Sequence, residues 1–133
     1  MLMPLDGRAV ITYSLDVMLA DRRCRSVWIV TKEEEWTTFQ DIVQKIFPNQ
    51  SKSICWVTGG KERQDSVRLA LDQLTEKGDA LVLIHDAARP FLSREIIDRL
   101  LSALDQADAV VPAIQAKDFF ESSQSIPNGH PVA

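Results

Sequence analysis

Apolar positions along the chain follow two alternating rhythms, short β-branched runs and longer stretches at helical spacing, and that alternation marks parallel βαβ units. The spacing predicts a first helix over residues 8–20, where Ile11, Leu15, Met18 and Leu19 share a face after a Leu5-Asp6-Gly7 turn. Ser26–Thr31 reads as a strand buried on both faces, as parallel strands are. Residues 33–47 repeat Trp36, Phe39, Val43 and Phe47 at helical intervals, and Glu33, Glu34 and Glu35 stand at the end where the helix dipole favours anions. Ser53–Thr58 is a second strand, and residues 62–77 a second crossover helix turning Val67, Ala70, Leu71 and Leu74 inward, with Gly78 as its stop. Residues 80–85 form the most apolar run and are predicted as the central strand of the sheet. Ser93 caps a helix with Ile96, Ile97, Leu100, Leu101 and Leu104 inside, and residues 107–113 read as a fourth strand. Beyond Ile114 the periodicity fades, and a segment rich in Ser, Pro, Asn and Gly is expected to be loose.

The expected architecture is therefore α/β with a mostly parallel sheet. Such a sheet ordinarily opens with a strand, whereas the first element here is a helix, so the sheet is expected to lack its first strand. The organisation predicted is a partial domain over residues 4–114 followed by a divergent segment over residues 115–133. A chain of 133 residues with 45% hydrophobic residues has room for one buried core and not for two.

The formal charge of -4 gives no footprint for nucleic acid, which asks for clustered Lys and Arg in excess of acids. Cys24 and Cys55 lack the spacing of a zinc site or disulfide framework and read as reduced, half-buried thiols. No apolar stretch approaches the ~18 residues of a membrane span, and the opening Met1-Leu2-Met3-Pro4 is unlike a signal sequence. The expected setting is the cytosol, with no membrane partner.

In doubly wound sheets ligands gather outside the carboxyl ends of the strands, where loops lead into helices. Gly59 and Gly60 follow the strand ending at Thr58, so the backbone can turn tightly and approach a flat ligand, and the helix behind them points free N–H groups at the same crevice. On pattern alone a glycine pair before a helix is more often a plain tight βα turn. Asp86 follows the predicted central strand, where a single carboxylate suits a magnesium ion that takes its other ligands from substrate phosphates and water. Arg89 offers a planar donor fork for phosphate. The competing reading of Asp86 and Arg89 is a local loop ion pair. His85 reads as a packed structural residue, and Glu62, Arg63 and Asp65 as a first-turn, solvated face. Neither a P-loop, a dinucleotide fingerprint nor a nucleophile elbow occurs, and Trp28, Trp36 and Trp56 fall on core positions.

Thr58-Gly59-Gly60-Lys61-Glu62-Arg63-Gln64-Asp65-Ser66-Val67 and His85-Asp86-Ala87-Ala88-Arg89-Pro90 stand in the order and separation that resemble the 2-C-methyl-D-erythritol 4-phosphate cytidylyltransferases. Pro4-Leu5-Asp6-Gly7-Arg8-Ala9-Val10 looks like the segment that follows that family's phosphate-gripping loop, so the resemblance covers residues 4–112. It implies a Rossmann-like, three-layer nucleotidyltransferase fold. It also implies cytidylyl transfer from CTP to a polyol phosphate with release of pyrophosphate, aided by magnesium, in the non-mevalonate route to isoprenoids. By the resemblance, Gly59, Gly60 and Lys61 would frame the cytosine through backbone groups, Ser66 would bond the base, Asp86 would hold magnesium, and Arg89 would place the polyol phosphate.

Ribitol-5-phosphate cytidylyltransferase shares these motifs, and a non-catalytic nucleotide-binding remnant or a transferase using another base are the remaining alternatives. The family's Gly-rich loop with its Arg and Lys would precede residue 1, so no catalytic residue is assigned. Gln115-Ala116-Lys117-Asp118-Phe119-Phe120-Glu121 departs from the family's acceptor-binding pattern. The resemblance implies a homodimer whose arm lies outside this sequence.

Overall fold

A computed structural model describes residues 3–49, 53–74 and 80–114. The chain opens with a hairpin in which β1 (Pro4–Leu5) pairs antiparallel with β2 (Arg8–Ala9). Asp6 and Gly7 both have positive φ, 49° and 77°, the conformation a two-residue hairpin turn demands. Helix α1 (Val10–Ala20) follows directly, and the hairpin is pinned to it. Tyr13 donates its hydroxyl to the Leu5 carbonyl at 2.6 Å, and the Arg8 guanidinium lies over the Tyr13 ring and reaches Asp16 at 2.6 Å.

Strands β3 (Ser26–Thr31) and β4 (Ser53–Thr58) form a parallel pair running from Ser26 opposite Ser53 to Thr31 opposite Thr58, so both end level. Between them a short 3-10 turn (Glu33–Glu35) leads into α2 (Trp36–Ile46). The predicted helix over 33–47 thus starts one turn late, the three glutamates making that tighter turn. Val27 and Ile29 face α1 and α2 and close a core with Ile11, Leu15, Leu19, Phe39 and Val43, against which Ile54 and Trp56 pack. Alternation in a strand sends Val57 to the opposite face, the face covered by α3 (Arg63–Gln73), where it is buried. No residue of α3 is fully buried, and Leu71, expected inside, is exposed. This helix lies over only two strands, too narrow a surface to cover its apolar stripe.

The expected central strand over residues 80–85 and fourth strand over residues 107–113 are not strands. A strand exists through ladder bonds to a neighbour, and among the described residues β3 and β4 bond only to each other. Residues 80–85 and 107–113 make no such ladder, and Leu81, Val82, Leu83 and Ile84 are exposed, Leu81 by 64%, and so is Val111. Helix α4 (Arg94–Ala103) forms as its cap predicts, Ser93 Oγ accepting from Ile96 N–H at 3.2 Å, and it buries Ile97. A 3-10 turn (Leu104–Gln106) ends it.

Arg23 ties α4 to the end of α1 by bonding Asp21 at 2.6 Å and Asp98 at 2.5 Å. The Asp21 carboxylate is buried, and Arg23 holds it well below the ordinary carboxylate range, through its guanidinium first and its backbone N–H second. Cys24 and Cys55 are partly buried, as expected. No described helix is long and apolar enough to cross a membrane. The Gly78 stop and the segment 115–133 lie outside the described residues.

Candidate functional site

The level carboxyl ends of β3 and β4 place Thr31 and Thr58 side by side. Thr31 is buried and donates its hydroxyl to Glu35 at 2.6 Å, while its carbonyl accepts from Gly59 N–H at 2.9 Å, so the ladder extends one residue past β4. The chain then turns into α3 through Gly60, Lys61 and Glu62. Gly60 N–H donates to Ser66 Oγ at 3.1 Å, the Ser66 hydroxyl donates to the Glu62 carbonyl at 3.2 Å, and the Asp65 carboxylate accepts from Glu62 N–H at 3.2 Å. Gly60 is fixed as glycine by crowding and not by its dihedrals, because a Cβ there would run into Asp65 Cβ. The close approach that the glycine permits is therefore to its own helix.

Gly59, Gly60, Lys61 and Ser66 thus form one compact unit, with the Lys61 side chain out in solvent. Ser66 bonds the backbone of the turn on both sides of Lys61, at Gly60 and at Glu62. Glu62, Arg63 and Asp65 stand in the first turn as the sequence suggests, and Asp65 contributes more than charge, since it closes the helix start.

Asp86 and Arg89 form a second unit. The Asp86 carboxylate accepts from Ala88 N–H at 3.2 Å and lies 3.6 Å from Arg89 Nε, and the Asp86 carbonyl accepts from Arg89 N–H at 2.9 Å. This is the local loop ion pair that competed with the ligand reading, and exposure leaves it worth little to stability. It also keeps the two charges together in water, with Arg89 82% exposed. The loop is held from below, as Ala87 packs against the core and Ser14 Oγ donates to the Arg89 carbonyl at 3.1 Å. Ser14 gave no signal in sequence, because a lone serine on an apolar helix face looks like tolerated polarity and its partner is 75 residues away.

His85 is half-buried, and burial pushes its pKa below 6.5, with Asp86 opposing the shift and Arg89 adding to it. Its ring bonds to none of the described residues. No group of three or more His, Cys, Asp or Glu that could hold a metal occurs among the described residues. A single exposed carboxylate at Asp86 suits a magnesium ion that draws most of its ligands from phosphates and water, and not a protein-built cage. No hydrogen bond or ion pair joins the glycine unit to the Asp86 unit among the described residues.

The sequence profile of the family 2-C-methyl-D-erythritol 4-phosphate cytidylyltransferase matches residues 1–126. A protein of that name from Shouchella clausii is 36% identical over 117 residues, 88% of this chain and 49% of the relative. Another, from Halalkalibacterium halodurans, is 36% identical over 114 residues, 86% of this chain and 48% of the relative. The crystal structure of 4-diphosphocytidyl-2C-methyl-D-erythritolsynthase from Anaerococcus prevotii aligns with a TM-score of 0.68 and 27% identity, over 77% of this chain and 43% of that one. The chain spans about half the length of the curated relatives it matches. The parallel β3–β4 pair, the glycine turn at its carboxyl end and these matches agree, and the chain belongs to the 2-C-methyl-D-erythritol 4-phosphate cytidylyltransferase family.

Proposed function

We propose that the chain carries the nucleotide side of a cytidylyltransferase site that joins CTP to 2-C-methyl-D-erythritol 4-phosphate. In that reaction a phosphate oxygen of the acceptor attacks the α-phosphorus of CTP. A new P–O bond forms, the bond to the bridging oxygen of the β-phosphate breaks, and pyrophosphate leaves. Such chemistry asks a protein for positioning and charge neutralisation more than for covalent participation.

The observation that carries the reading is the rigid Gly59–Ser66 turn at the carboxyl end of β4, in a chain of this family. Its backbone around Gly60 and Lys61 would meet the edge of the cytosine. Asp86 would be the carboxylate for magnesium, which when bound neutralises triphosphate charge. Arg89, paired only loosely with Asp86, would turn its guanidinium to the acceptor's phosphate. The same reading puts the protein in the cytosol as a homodimer.

The test is pyrophosphate release from CTP with magnesium and methylerythritol phosphate, alongside calorimetric titration with CTP. Acceptor-dependent release that falls about 100-fold in Asp86→Asn supports it, and ribitol 5-phosphate in place of the acceptor separates the two polyols. A chain that gives no CTP binding would refute it. Binding without turnover selects the second reading, a nucleotide-binding remnant, which the open, solvent-facing Asp86–Arg89 pair favours.

A further inference from the structure

Ser14 lies in the middle of α1, 3% exposed, on the face that also carries the core residues Ile11 and Leu15. A hydroxyl in such a place costs free energy unless it is bonded, and inside a helix its ordinary acceptor is a carbonyl of the preceding turn. Thr12, the other buried hydroxyl of this helix, follows that habit and donates to the Ala9 carbonyl at 2.7 Å. Ser14 does not. Its proton leaves the helix for the Arg89 carbonyl at 3.1 Å, 75 residues away.

The turn that receives it is closed by two bonds of its own, Arg89 N–H to the Asp86 carbonyl at 2.9 Å and Ala88 N–H to the Asp86 carboxylate at 3.2 Å. Two anchors fasten this closed turn to α1 and its surroundings, the Ala87 side chain against the core and the Ser14 bond. They differ in kind. An apolar contact holds a group close without direction, whereas a hydrogen bond weakens steeply as its angle departs from straight. Ser14 is therefore the anchor that sets how the turn is rotated, and with it where the Asp86 and Arg89 side chains leave for solvent.

We propose that Ser14 is a positioning residue, which from inside α1 fixes the orientation of the Asp86–Arg89 turn so that the Asp86 carboxylate meets a divalent cation carried on a nucleotide's phosphates. The proposal rests on the reading of Asp86 given above and adds to it a residue that touches neither cation nor nucleotide. Its effect is confined to the step in which the cation takes part, because a turn already oriented leaves less to be ordered on binding.

The experiment titrates the full chain with CTP by calorimetry, with and without magnesium, and follows amide exchange at Arg89 in the ligand-free protein. The proteins are the wild type, Ser14→Ala, Ser14→Thr and Ile11→Val, the last a control that loosens the same face of α1 without touching the turn. Far-UV circular dichroism verifies that the helices persist. Ser14→Ala is expected to lose about tenfold of the affinity that magnesium adds, the worth of one hydrogen bond, to keep the magnesium-free affinity, and to exchange the Arg89 amide faster. Ser14→Thr keeps the hydroxyl and Ile11→Val keeps the mooring, so both are expected to retain the magnesium-assisted affinity. An equal loss with and without magnesium, or an Ile11→Val variant that loses as much as Ser14→Ala, would mean a structural role only and overturn the proposal. Unchanged magnesium-assisted affinity in Ser14→Ala overturns it too, as does a Ser14→Thr variant no better than Ser14→Ala. A wild type that does not bind CTP, or that binds it no better with magnesium, sinks the reading of Asp86 and this proposal with it, a result seen in the wild type alone and so distinct from the others.

Discussion

The hydroxyl of Ser14, buried on α1, donates to the backbone carbonyl of Arg89 at 3.1 Å, which moors the loop bearing Asp86 to the oldest part of the core in chain order. Replacing Ser14 with Ala leaves that carbonyl without its partner. Ser14→Ala is expected to lower stability by about 1 kcal/mol, measured by urea unfolding, with no change in the helical signal.

Gly60 offers a sharper test of crowding. Because a Cβ there runs into Asp65 Cβ and not into the tip of a flexible chain, Gly60→Ala must shift the start of α3. Overpacking of this kind costs about 1–3 kcal/mol, and the melting temperature is expected to fall accordingly. The double variant Gly60→Ala with Asp65→Gly is expected to recover part of the loss.

Asp21 makes stability depend on acid. Its carboxylate is depressed from the ordinary 3.8 by Arg23 and, more weakly, by Arg94. The unfolded chain therefore takes up protons first, so the stabilisation is complete above pH ~4 and declines as the pH falls toward the lower folded value. The melting temperature of the wild type is expected to drop from pH 5 to pH 2 more steeply than that of Asp21→Asn, followed by calorimetry.

His85 titrates in the opposite range of interest. Burial lowers its pKa from 6.5, so the unfolded chain binds the proton more readily and stability declines as the pH falls below about 6.5. Proton NMR is expected to give a midpoint under 6.5. Asp86→Asn is expected to lower it further and Arg89→Ala to raise it, because those charges act with opposite sign on the imidazolium.

How much of this was legible in sequence depended on whether a residue's fate was set locally. β3 and β4 emerged with their observed ends, since a β-branched run bounded by polar residues specifies a strand wherever an edge is near. The faces of α1 and α2 followed from spacing alone, Ile11, Leu15 and Leu19 on one and Phe39 and Val43 on the other. Residues 80–85 misled, because hydrophobicity records a tendency while a strand needs a partner. Leu71 misled for a related reason, its helix having only two strands to lie on. In the site, Gly59, Gly60 and Ser66 were singled out from sequence, but the crowding by Asp65 and the two hydrogen bonds of the Ser66 hydroxyl are three-dimensional facts that spacing does not encode.

The exposed run has its own consequence. Leu81, Val82, Leu83 and Ile84 are consecutive, apolar, uncharged and outside any ladder, the features of a segment that recruits other chains. Light scattering is expected to show association growing with concentration. Leu81→Lys with Leu83→Lys is expected to suppress it at little cost in melting temperature, since both positions are already in solvent.

Buried apolar residues are unevenly spread: the main cluster runs from Ile11 to Val43, and beyond residue 74 only Ile97 among the described residues is fully buried. Resistance to opening should be uneven in the same way, with the slowest amide exchange in α1 and β3 and a lower-energy opening of residues 80–114 on their own. Asp86 and Arg89 ride on that softer part. A molecule that grips them would announce itself as slower breathing of residues 80–114 well before it moved the temperature at which the whole chain melts.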